Sequence, residues 1–175
     1  PELREAFDDD RPDRLLLEGM LLLADGKPAE AQPLLQKAND ARPDWPLGLV
    51  ALARVKTELA RQDRARAMTL AVEQGDTGEA FRNARRSSEA FLGQALELLN
   101  RALEINPMNV RWEILRLRTA RRLNDTLTAG KSFDRLVDRF GGHPDVLALR
   151  VDDRLRNNDP QAAVDLQRAL LRQRP

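Results

Sequence analysis

Arginine supplies most of the chemistry this sequence offers. Arg111, Arg118 and Arg122 recur at helical spacing, which on a helix sets them within about 40° of one another, with Arg121 and Arg116 near the same face. A guanidinium is always charged, and its planar fork of donors matches the oxygens of carboxylates and phosphates. Joined by Arg54, the stripe predicts a surface that accepts acidic side chains, a carboxylate or an anionic polymer. The competing reading is a solvated face balanced by Glu113 and by aspartates such as Asp134 and Asp138.

Other chemistries find less support. Thr128-Ala-Gly130-Lys131-Ser132 shares the end of a phosphate-binding Gly-x4-Gly-Lys-Ser/Thr loop, but Asp125 stands where its first glycine belongs and the flanks read as helix. His143 is the single histidine, in Gly-Gly-His-Pro, and reads as a turn residue without metal-binding companions or a nearby nucleophile signature. Asp8-Asp9-Asp10 lacks the alternating oxygen ligands and central glycine of a calcium loop and reads as an acidic helix cap. The sequon Asn124-Asp125-Thr126 matters only in a glycosylating pathway. No carboxylate pair sits in a pocket pattern, so the expectation is a protein with no catalytic residues, no cofactor and no metal.

What positions the arginines is helix. Leu, Ala, Arg, Glu, Asp and Gln dominate, aromatics are 4% and tyrosine is absent, a composition of strong helix formers that predicts an all-α fold. Acids and bases nearly cancel to a net charge of +1, so no global field favours nucleic acid or an anionic membrane, and no nucleic-acid partner is expected. Only four of the 29 basic residues are lysine, an excess of arginine that coding bias alone can produce. Cysteine is absent, which rules out disulfides and thiolate sites and leaves compartment undecided by redox chemistry. No apolar run of about 18 residues predicts membrane insertion. The chain begins at Pro1 without a methionine and ends at Pro175, so it reads as a piece of a longer protein whose targeting signals lie elsewhere.

The helices repeat. Residues 15–43 read as a helix containing Gly19, a tight turn at Gly26, a second helix and a closing Pro43. Ala31, Leu35, Ala38 and Pro43 match Ala95, Leu99, Ala102 and Pro107 position for position, and a weaker copy runs from Pro160 through Ala163 to Pro175. Gly and Ala let helix backbones approach, Gly admits the turn and Pro cannot continue a helix. On these residues the chain resembles the tetratricopeptide repeat family. The resemblance implies a right-handed α-solenoid of antiparallel hairpins, a single array with units at 12–43, 44–107, 108–142 and 143–175. Residues 1–11 read as the end of a preceding helix. Gly141-Gly142 replaces the exit proline of the third unit and Gln167 stands at a usual core position of the fourth. Trp45 and Trp112 are expected to pack between units.

The second unit is nearly double length. Its extra residues either lengthen both helices, giving Pro46 to Glu73 and Glu79 to Ile105 around Gly75-Asp76-Thr77-Gly78, or form an additional hairpin broken near Gln62-Asp63. Helical spacing of Leu49, Leu52, Ala60, Ala67 and Leu70, and of Phe81, Ala84, Phe91, Ala95, Leu98 and Ile105, favours the long hairpin, a candidate docking or dimerisation arm.

The family resemblance implies a non-catalytic scaffold for a protein or peptide partner, held in a groove lined by the first helix of each unit. Arg54, Arg111, Arg118, Arg121 and Arg122 are then the partner-binding candidates, with Met20, Leu16 and Leu23 as an apolar alternative. The family's carboxylate clamp for chaperone tails has no matching set here. By analogy with where such arrays occur, a bacterial envelope assembly for secretion or exopolysaccharide export is expected, with the periplasm favoured over the cytoplasm. The alternatives are a regulatory or homodimerising domain fused to an enzyme, and a binder of an anionic polymer such as a polysaccharide.

Overall fold

The computed structural model describes residues 11–76 and 78–172. The Asp8-Asp9-Asp10 run, Thr77, Pro175 and the expected helix end at 1–11, except Arg11, lie outside the described residues. Eight α-helices and no strand occur among those described: α1 Pro12–Ala24, α2 Pro28–Ala41, α3 Pro46–Gln74, α4 Glu79–Ile105, α5 Val110–Leu123, α6 Thr126–Phe140, α7 Pro144–Arg156 and α8 Pro160–Arg172. Proline opens α1, α2, α3 and α7, where its missing N–H forfeits no helical bond. In α5 and α6 a side chain does that work instead: Asn109 accepts from the Trp112 N–H at 3.2 Å, and Asp125 from that of Thr128 at 3.0 Å.

Consecutive helices pair as hairpins, α1 with α2, α3 with α4, α5 with α6 and α7 with α8, while α2 packs on α3 and α4 on α5. Three of the four turns use one device. Gly26, Asn124 and Asn158 adopt φ of 75°, 60° and 60°. The next residue's N–H then returns five residues, Lys27 to Leu22, Asp125 to Ala120 and Asp159 to Arg154, at 2.9, 3.0 and 2.9 Å. This closure satisfies carbonyls the helix end leaves open. The exits repeat as well: Arg42 and Asn106 donate to the carbonyls of Ala38 and Ala102 with φ/ψ of −138°/78° and −131°/80°. Gly19 marks a close approach of α1 and α2, since a Cβ there would lie 2.6 Å from Leu35 Cγ.

The core is three clusters along the chain. Leu15, Leu16, Leu35, Leu52 and Val55 form the first, Leu49, Val50, Ala53 and Leu99 the second, and Ile114, Leu117, Leu136, Val146 and Leu149 the third. Trp45 packs against the first and Trp112 against the second. The opening half of α3 contributes to two clusters and is buried nearly all round. Beyond Ala60 its one buried described residue is Ala67, so the outer half leans on α4 alone.

No break occurs at Gln62-Asp63: α3 is one helix of 29 residues against 14 in α5, a difference of ~20 Å at 1.5 Å per residue. Two hydrogen bonds tie its arm to α4, from Ser88 Oγ to the Ala60 carbonyl at 2.9 Å and from Ser87 Oγ to Asp63. Ile105, expected on the inner stripe, is 48% exposed, because Leu99, Ala102 and Leu103 fill the packed face at that end of α4. Leu16 is buried and Leu23 packs on the first cluster, so of the proposed apolar trio only Met20 faces outward.

Candidate functional site

The last turn of α5 carries Arg121 and Arg122, where cations offset the partial negative charge of the helix's terminal carbonyls. Arg118, one turn earlier, projects to the same side. Between α3, α5 and α7 these three face a recess of about 560 Å³, lined also by Arg64 of α3 and by Asp152 and Arg156 of α7. Five guanidinium groups from three helices therefore converge on one hollow.

Their partners divide them. Arg121 lies 3.8 Å from Asp152 Oδ2 and 3.8 Å from Asp153 Oδ1, and its guanidinium sits over the Phe133 ring at 5.8 Å. Arg156 pairs with Asp152 at 2.8 Å. Arg64, Arg118 and Arg122 have no ion-pair partner among the described residues. The α7 carboxylates thus neutralise two of the five cations, and the other three are open to oxyanions supplied from outside.

Arg54 and Arg111 are exposed but line neither this recess nor its neighbours on the arm. Arg111 sits about 10 Å along the helix axis from Arg118. Arg54 is ten residues before Arg64 on α3. Arg116 corrects the sequence reading more strongly: 5 residues from Arg111 is about 140° around a helix, so it points inward. It is 7% exposed and Glu113 is 4% exposed. The two form an ion pair at 2.5 Å, while Arg116 Nε donates to Ser132 Oγ at 3.0 Å and Nη1 to Asn100 Oδ1 at 3.3 Å. Glu113 is therefore no surface counter-charge for the stripe. The network locks α4, α5 and α6 together, and a buried pair so satisfied is costly to break from one side.

Ser132 also settles the phosphate-loop resemblance, since residues 128–132 lie inside α6 and the Ser132 hydroxyl is buried against Arg116. His143 caps α7, its Nδ1 accepting the Asp145 N–H at 3.2 Å. Among the described residues no group of three or more His, Asp or Glu is placed to hold a metal ion. No described helix is long and apolar enough to cross a membrane.

A second recess of about 520 Å³ opens between α2, α3 and α4. At its floor Lys56 is 9% exposed, 5.2 Å from the Phe91 ring centroid, and burial lowers its pKa. Asn39 Oδ1 beside it is buried without a hydrogen-bond partner.

Arg64, Arg156 and Asp152 escaped the sequence reading because their meeting depends on how α3, α5 and α7 lie side by side, which no spacing within one helix reports. No protein-family model matches the chain, and no curated protein matches it.

Proposed function

We infer that the chain is a non-catalytic protein-interaction scaffold, a right-handed α-solenoid of tetratricopeptide-like hairpins that holds an acidic segment of a partner protein between α3, α5 and α7. The observation that carries this reading is the set Arg64, Arg118 and Arg122, three cations from two helices around one recess with no carboxylate among the described residues committed to them. The repeated turn closure at Gly26, Asn124 and Asn158 supports a common hairpin unit. In the family that the sequence resembles, α3, α5 and α7 correspond to the first helices of successive units, the ones that line the peptide groove.

Fluorescence anisotropy with a labelled decaglutamate peptide tests the reading. Saturable binding is expected that weakens between about 50 and 200 mM salt, as exposed charges are screened. The double variant Arg118→Glu/Arg122→Glu loses roughly tenfold or more in affinity, whereas Arg54→Glu and Arg111→Glu lose less. An absence of binding at low salt refutes it.

A further inference from the structure

The arginine recess does not end at α5. Arg64, Arg122 and Asn124 border it and also border a smaller hollow of about 250 Å³ on the flank of the arm. Ala67 and Met68 of α3 and Phe81 and Leu92 of α4 give that hollow an apolar side, and Arg85, Ser88 and Glu89 of α4 a polar one. Its size falls below the ~300–1,000 Å³ of pockets that take drug-sized ligands and suits a single large side chain. Met68 is 65% exposed, an unbranched and adaptable apolar group at the mouth. The charged rim on the far side is already neutralised, Arg85 donating to Glu89 at 3.0 Å. Charge on the near side is Arg64 and Arg122, the same two cations left open in the larger recess.

The hollow is built by the extra length of the second hairpin. A helix of 14 residues like α5, starting at Pro46, would stop before Arg64, Ala67 and Met68. Phe81 belongs to the matching outer part of α4. Without the extension Arg118, Arg121 and Arg122 would remain on α5, but Arg64 and the hollow formed with Ala67, Met68 and Phe81 would both be missing.

We propose that the partner segment is bipartite, with acidic residues set against Arg64, Arg118 and Arg122 and one large apolar side chain seated in the hollow of Ala67, Met68, Phe81 and Leu92. This rests on the reading of the arginine recess as a site for acidic segments. From Arg64 to Met68 is one helical turn, ~6 Å, which an extended peptide covers in about two residues. The apolar residue therefore stands about two positions from the acidic run.

Three labelled peptides decide the matter by anisotropy: six glutamates, one glycine and a phenylalanine; the same with serine for phenylalanine; and the first with glutamines for glutamates. On the intact chain the phenylalanine peptide binds about tenfold tighter than the serine peptide. In Met68→Asn, an uncharged change at an exposed position checked for helicity by circular dichroism, that preference disappears while the serine peptide is unaffected. Arg118→Ala weakens both acidic peptides by a similar factor. Equal binding of the two acidic peptides, still dependent on Arg118, overturns the bipartite site and leaves the acidic groove standing. Binding of neither acidic peptide, or tight binding of the glutamine peptide, overturns both.

Discussion

Two residues apart on α5, Arg116 and Arg118 meet opposite fates. The first is enclosed with Glu113, Ser132 and Asn100, all its charge compensated inside the protein, and the second stands in a recess with none. A rotation of about 200° between them decides which arginine is structural and which is available. Lys56 shows a third outcome, a cation enclosed with an aromatic face and no ion-pair partner among the described residues, while Asp40 of α2 and Glu97 and Arg101 of α4 line the same recess. Because burial lowers its pKa, the unfolded chain binds this proton more readily than the folded one. The resulting penalty is complete below the folded pKa and fades as pH rises to the ordinary lysine range. Lys56→Met is thus expected to raise the midpoint of thermal unfolding at pH 7, with the difference from the parent narrowing as pH is raised. A gain that stays constant with pH would assign the effect to packing instead.

At the scale of elements, what the sequence made legible is punctuation. Pro46, Asn124-Asp125 and the Gly75–Gly78 stretch delimit helices as their backbone chemistry requires, and the bounds Val110–Leu123, Thr126–Phe140 and Glu79–Ile105 follow from them. Facing was less legible. The sequence placed Arg116 near the stripe and Ile105 on the inner face, and the structure turns one in and the other out. Three-dimensional neighbours of α5 supply the recess through Arg64 and Arg156, and the order of residues along the chain carries no record of that adjacency. The turn device carries a test of its own. Asn158 holds φ of 60°, a conformation that costs ordinary L-residues about 1–2 kcal/mol and glycine almost nothing. Asn158→Gly should therefore keep or raise thermal stability, while Asn158→Val should lower the melting temperature by at least ~2–4 °C, the response of a chain of this size to about 1 kcal/mol. Equal effects of the two substitutions would show that the turn is not held by its dihedral.

For the molecule as a whole, contacts run between neighbouring hairpins and each cluster draws on helices adjacent in the chain. Stability in such an arrangement is expected to grade along the chain. The opening half of α3, enclosed by two clusters, should hold the slowest-exchanging amides. Slow exchange should fall off along the outer half of α3, and α8, whose one buried described residue is Ala163, should be among the fastest helices. Hydrogen exchange read by mass spectrometry checks this, and uniform protection from α1 to α8 would contradict it.

The uninterrupted course of α3 has one more consequence. A loop inserted between two parts of a site lets them drift, and a ligand is then chosen by what it carries. Here the arginine recess and the apolar hollow are joined by helix, and changing their separation means breaking backbone hydrogen bonds. On the bipartite proposal the arm would act as a ruler, selecting among sequences of like composition by the interval at which their charged and greasy positions fall.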